Sequence, residues 1–423
     1  MEVFFHHFYV KYFTIQHFSG HADAQRVSHP RINTSRMKPA MEPPLIYLNN
    51  AATSWPKPPG VIAAVNDALA LPFGEAGRSA AGLSSDCVAD AREAVARYFH
   101  APETDHVIFS ANATDALNTL ISGFAINEAG PFHAIISDLE HNSVIRPLRT
   151  LEAGGRCSVT VVPSTGARVD PDAVAAALRP DTRLAVLSHG SNVLGSVQDI
   201  SAIGKLLQDE SVFFIADGAQ TAGLAQIDLG RLPLDAFVFT GHKYLFGFPG
   251  TGGFYIRDQE KSASTRQGGT GTDSRYPLQP QGMPEKFEAG THNYPGLVSL
   301  AAGIAFLEET GADAIARSIT RQAGIFLREF SGTDTIQVYN TNPDLPVISF
   351  NLRDLENEDT GFVLRRMYGI VTRTGLHCAP LIHDRIDGGH GCVRISPSIS
   401  TPDETCRSAA AAIREVADSV HSA

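Results

Sequence analysis

From about residue 46 the chain alternates apolar runs of strand length with amphipathic stretches of helical period. The runs are VIFSA (107–111), AIISD (134–138), VTVVP (159–163), LAVLSH (184–189), VFFIAD (212–217) and AFVFTG (236–241). Between them, SSDCVADAREAVARYF (84–99), HNSVIRPLRTLEAG (141–154) and DPDAVAAALR (170–179) place apolar residues three and four apart, as helices with one buried face do. Strands that are apolar throughout and separated by helices predict an α/β fold, a mostly parallel sheet sandwiched between helices by crossover connections. After Arg257 the rhythm gives way to the Gly/Pro-rich passage 266–296, longer than an ordinary connection and of the kind that carries function. Helical pattern returns over 297–330. Strand VISFNL (347–352), a helix near 359–368, strands IVTRTG (370–375) and CVRIS (392–396) and an Ala-rich final helix then predict a smaller α+β domain.

This divides the chain into a large domain, 41–296, whose segment 41–60 is expected to pack on the small one, and a C-terminal small domain, 297–423. Residues 1–40 open aromatic and His-rich, then turn polar and Pro-punctuated, without the pattern of a secretory signal. They are expected as a disordered extension or an over-called start, with Met37 or Met41 as the natural beginning.

Composition narrows the function classes. The formal net charge is −11, from 34 Lys and Arg against 45 Asp and Glu, with no basic cluster, which argues against a nucleic-acid partner. No apolar run approaches the roughly 20 residues of a membrane span. Five cysteines, never in a CxxC pair, suit free thiols in a reducing, cytoplasmic setting.

In an open α/β sheet, ligands bind beyond the carboxyl ends of the strands. There the sequence places Thr114 at a helix start, His141, Asn192, Asp217 with Gln220 behind it, and His242-Lys243 ahead of the Gly-rich FGFPGTGG. Singly, Thr114 reads as a cap and Asp217 as a turn residue. Together on one sheet edge they read as a site. A desolvated lysine can lose its proton and form a Schiff base. An acid on an upstream strand can hold a pyridine nitrogen protonated, and a helix N-terminus can hold a phosphate. These are the requirements of pyridoxal 5′-phosphate (PLP).

At this point the chain resembles the class V aminotransferase family of fold-type I PLP enzymes, within its cysteine desulfurase/selenocysteine lyase branch. The resemblance spans 47 to about 415 and rests on NNAATSWPKPP (49–59), SANATDALN (110–118), LEHNSVIRPL (139–148), SHGSNVLG (188–195), ADGAQTAG (216–223), TGHKYLFGFPGTGG (240–253), FEAGTHN (287–293) and RTGLHCAP (373–380). It implies that Lys243 carries the cofactor, Asp217 meets its ring nitrogen, Gln220 reaches the ring hydroxyl and His141 stacks on the ring. Ala113, Thr114, Thr240 and His242 would hold the phosphate, with Thr291 approaching from a second subunit of a homodimer with shared active sites. Asn192, Arg394 and Arg373 would bind the substrate carboxylate. Two departures bear on substrate choice: GRSAAGLS (77–84) has Ala where His is common in the family, and the segment 397–401 lacks the usual Asn-Thr.

Cys378, in RTGLHCAP, matches the branch's persulfide-forming cysteine, with Arg373 and His377 as neighbouring cations. The implied reaction takes L-cysteine or L-selenocysteine to L-alanine and leaves a persulfide on Cys378 for an acceptor protein or thiol. The alternatives are another class V reaction (aminotransferase, epimerase or β-lyase) and, more distantly, a metal-binding regulatory protein using His377, Cys378, His383, His390 and Cys392. Those spacings match no zinc pattern, so no metal site is assigned.

Overall fold

The computed structural model describes residues 43–70, 86–272 and 274–421, all within one compact unit. The expectations for residues 1–40 and for the departure at 77–84 lie outside these residues. No described helix is long and apolar enough to cross a membrane.

The strands, in chain order, are β1 (Ile46–Tyr47), β2 (Val107–Ser110), β3 (Phe132–Ser137), β4 (Cys157–Val162), β5 (Thr182–Ser188), β6 (Phe213–Asp217), β7 (Ala236–Thr240), β8 (Gly252–Ile256), β9 (Ile336–Val338), β10 (Ile348–Leu352), β11 (Ile370–Val371) and β12 (Val393–Ile395). A seven-stranded sheet has the order β2-β8-β7-β6-β5-β3-β4, and β3 to β7 run parallel within it. Successive side chains enter opposite cores. Ile135, Leu187, Phe214 and Phe237 pack on one face, and Ile136, Val186, Ile215 and Val238 on the other. That double burial is why the strands are apolar throughout. The α/β sandwich expected from the sequence is therefore present.

One strand breaks the parallel pattern. β8 lies antiparallel between β2 and β7. Its sequence, GGFYI, begins with two glycines and so hides a strand from an apolar-run criterion. The glycines are required by space: a Cβ on Gly253 would lie 2.0 Å from the Ile108 carbonyl oxygen.

The order of β3 and β5 matters most for ligands. From β3 the chain moves outward to β4, then returns to the other side of β3 as β5 and continues through β6 and β7. Neighbours whose connections leave in opposite directions open a crevice at their carboxyl ends.

A second sheet, β12-β10-β9, is antiparallel and packs with the helices Ala312–Phe330 and Asp403–His421 around Phe350, Ile395 and Ile413. The helix Tyr294–Thr310 instead joins the core of the large sheet through Leu297, Leu300 and Ile304. β1 pairs parallel with β11, and the chain after it continues to the large sheet, where the Ser54 N–H donates to the His242 carbonyl at 3.0 Å. The Gly/Pro-rich passage is anchored from within: Glu288 accepts a two-pronged contact from Arg92, at 2.8 Å on each oxygen, and takes the Phe109 N–H at 2.7 Å.

Candidate active site

The crevice holds a cavity of about 430 Å³. From β2 it receives the start of the helix Ala113–Asn127, whose cap Asn112 accepts the Asp115 N–H at 3.0 Å; Asn112, Ala113 and Thr114 line the wall. The unpaired N–H groups of such a first turn favour an anion.

After β3 comes His141, the cap of the helix Asn142–Ala153. Its Nδ1 accepts the Ser143 N–H at 3.1 Å, so the ring proton sits on Nε2. Burial, helped by Lys243, Arg373 and other nearby cations, pushes this imidazole down to about 4, so it is neutral at pH 7. Beside it Glu140 is fully buried and binds β5 to β3: it accepts from Ser188 N at 2.9 Å, Ser188 Oγ at 2.9 Å and Ser137 Oγ at 2.6 Å.

β6 ends in Asp217, whose Oδ1 accepts the Ala219 N–H at 2.9 Å. Burial raises its carboxyl above the ordinary value, while the Ala219 N–H and the Lys243 charge pull the other way. Gly218 has no room for a side chain, since a Cβ there would meet the Phe237 ring at 2.1 Å. Gln220 donates its amide to the Ala51 carbonyl at 3.0 Å, and its buried Oε1 has no partner among the described residues.

β7 delivers Thr240, His242 and Lys243 to the same wall. Burial brings the Lys243 amine down to about 8; Arg394 and Arg373 push the same way, against Asp217 and Cys378. The His242 ring, also neutral at about 4 through burial and then the charges of Lys243 and Lys57, leaves its buried Nδ1 without a partner among the described residues.

The opposite wall comes from the small sheet. Arg394 on β12 is completely buried, donating from Nη1 to the Asn192 carbonyl at 2.9 Å and from Nη2 to Asn49 Oδ1 at 3.2 Å, with Nε unpartnered among the described residues. The backbones of Arg373 and Arg394 pair with each other. Arg373 Nη2 lies 3.3 Å from Cys378 Sγ, so a guanidinium faces the sulfur. Cys378 is half-buried, and it and His377 both take left-handed backbone, φ 60° and 50°. That turn is held from outside: Asn192 donates to the His377 carbonyl and the Asn142 N–H to the Cys378 carbonyl, each at 2.7 Å.

Ala113, Thr114, His141, Asn192, Asp217, Gln220, Thr240, His242, Lys243, Arg373 and Arg394 thus line one cavity, and Cys378 adjoins it through Arg373. Thr291 does not line it and is exposed. His377, expected beside the Cys378 sulfur, turns its ring inward, where Nε2 lies 3.1 Å from the Cys392 carbonyl oxygen. Sequence reasoning passed over Glu140 and also Lys57, which donates to Ser54 Oγ at 2.8 Å and to the His242 carbonyl at 3.0 Å. A second cavity, about 420 Å³, is lined by the Arg168–Asp344 ion pair, by Gln198, Asp199 and Thr320 and by apolar groups, and holds no lysine, histidine or cysteine.

The fold and sequence have relatives. A "Probable cysteine desulfurase" of Methanothermobacter thermautotrophicus is 30% identical over 344 residues, covering 79% of this chain and 84% of that protein. Another of that description, from Halalkalibacterium halodurans, is 31% identical over 345 residues, with coverage of 79% and 84%. The apo structure of cysteine desulfurase from Thermococcus onnurineus NA1 superposes with a TM-score of 0.80 at 26% identity, covering 88% of this chain and 95% of that one. The family model for aminotransferase class-V matches residues 46–405. The chain belongs to the class V aminotransferase family.

Proposed function

We propose that this protein is a PLP-dependent cysteine desulfurase, converting L-cysteine to L-alanine and leaving the sulfur as a persulfide on Cys378. The observation that carries the reading is the meeting of Lys243 and Asp217 in one cavity with an Arg373-backed cysteine at its edge. Relatives described as cysteine desulfurases support it.

The residues fit PLP. Two buried acceptor or donor atoms, Gln220 Oε1 and His242 Nδ1, want partners on the cavity wall, and the helix start at Ala113 offers an anion site. Lys243 would hold the cofactor and Asp217 its ring nitrogen. Gln220 would take the ring hydroxyl, and His141 would lie on the ring face. Ala113, Thr114, Thr240 and His242 would receive the phosphate. When bound, PLP supplies an electron sink for charge developing at the amino acid's α-carbon.

The chain's own groups do the rest. Arg394 has donors to spare after its two protein contacts and, with Arg373 and Asn192, would grip the substrate carboxylate. The Lys243 amine, its proton loosened by burial, takes the substrate's α-proton and later returns it. Cys378 then attacks the substrate sulfur: an S–S bond forms, the C–S bond breaks, the β-carbon takes up the proton given up by the Cys378 thiol, and the lysine returns the α-proton to leave alanine. An acceptor thiol or protein collects the outer sulfur. In the homodimer that the family resemblance implies, the exposed Thr291 would reach the partner's phosphate.

The test is alanine and sulfide release from L-cysteine by purified protein, with and without a thiol reductant. Stoichiometric alanine with reductant-dependent sulfide is expected. Neither product under either condition would refute the desulfurase reading and leave cofactor binding untouched.

A further inference from the structure

Behind the Cys378 turn lies a group the reaction above does not use. His377, His383 and Cys392 are all buried, and one nitrogen of each imidazole and the cysteine sulfur lie within 4.8 Å of one another. His377 Nε2 lies 3.4 Å from Cys392 Sγ and donates its proton to the Cys392 carbonyl at 3.1 Å, so it becomes a ligand when that proton moves to Nδ1, a buried atom with no partner among the described residues. Two ligands across a tetrahedral zinc ion are separated by about 3.3–3.5 Å, given bonds of roughly 2.0 Å to nitrogen and 2.3 Å to sulfur.

An independent feature comes from His383. Its Nδ1 is 2.6 Å from Asp387 Oδ2, and both side chains are almost completely enclosed, 0% and 3% exposed. Donating Nδ1–H to the carboxylate leaves Nε2 as a bare lone pair. That atom is buried and has no partner among the described residues. A buried acceptor without a donor is costly. A carboxylate that fixes the tautomer of a histidine, with the second nitrogen held open, is how metal-ligating imidazoles are prepared.

We propose that His383 Nε2, His377 Nε2 and Cys392 Sγ form a site for one zinc-class divalent cation, with Asp387 orienting His383. Thiolate and imidazole ligands select such an ion over calcium or magnesium. Charge balances: the Cys392 thiolate and the Asp387 carboxylate offset the two positive charges, as a buried site requires. The site ties the two ends of the segment that carries Cys378, since the Cys392 N–H also donates to the Gly375 carbonyl at 3.2 Å. The cation is a positioning group for this turn and touches no substrate.

The experiment uses the full-length PLP-loaded protein, stripped with a chelator and titrated with Co²⁺, then assayed for zinc after reconstitution and dialysis. One equivalent of metal and the visible bands of thiolate-ligated cobalt are expected, with water completing the three protein ligands. Cys392→Ala and, separately, His383→Gln should lose both, with an unchanged circular-dichroism spectrum in at least one of them. Cys378→Ala should keep the bands. Folded wild-type protein that retains no metal, bands of equal strength in Cys392→Ala, or bands lost in Cys378→Ala would each overturn the proposal.

Discussion

Lys243 shows how burial prepares a side chain for chemistry. An exposed lysine holds its proton to about pH 10.4; here burial lowers that point to about 8. The sign is simple: below 8 the amine is charged and cannot attack a carbonyl, and above it the amine is free. The rate at which apoprotein takes up PLP should therefore climb about tenfold per pH unit below 8 and level off above it. Stopped-flow absorbance from pH 6 to 10 checks this, and a plateau reached only near 10 would contradict it. Glu140 makes the complementary point. Lys243 was legible because it stands between an apolar strand and a Gly-rich turn. Glu140 also follows an apolar strand, but its meaning depends on Ser188, 48 positions away, and no local pattern encodes that contact. Glu140→Ala strands the Ser188 and Ser137 donors, and thermal unfolding should report a loss of about 2–4 kcal/mol.

At the scale of elements, periodicity located the parallel strands because burial on both faces makes them apolar throughout. It failed at β8, where packing against β2 demands glycine instead of a β-branched residue. The same geometry predicts a contrast between two glycines. In Gly253→Ala the new methyl would meet backbone at 2.0 Å, whereas at Gly60, on the helix Pro59–Leu69, nothing lies within 4 Å. Chemical denaturation should show Gly253→Ala destabilised by about 2 kcal/mol or more and Gly60→Ala unchanged or slightly more stable. Equal effects would contradict the packing account. The Gly/Pro-rich passage was recognisable as unusual, yet its anchor was not, because Arg92 and Glu288 are 196 residues apart.

Across the whole molecule, the site exists only where separate regions meet. The large sheet supplies the lysine, acid and anion-binding helix start, and the small sheet supplies Arg394. The segment after β1 touches both, through Asn49 on Arg394 and Ser54 on His242. Order along the chain announced these groups, and strand order at β3 and β5 is what brings them together. At the edge of this assembly, Cys378 is the proposed receiver of the substrate's sulfur. The most direct measurement is mass spectrometry of the peptide carrying Cys378 after PLP-loaded protein is mixed with L-cysteine without reductant, alongside Cys378→Ala. One added sulfur on Cys378 is expected, and in the variant a normal cofactor spectrum with alanine release down about 100-fold or more. Unmodified Cys378 in turning-over enzyme, or wild-type alanine release from Cys378→Ala, would contradict it.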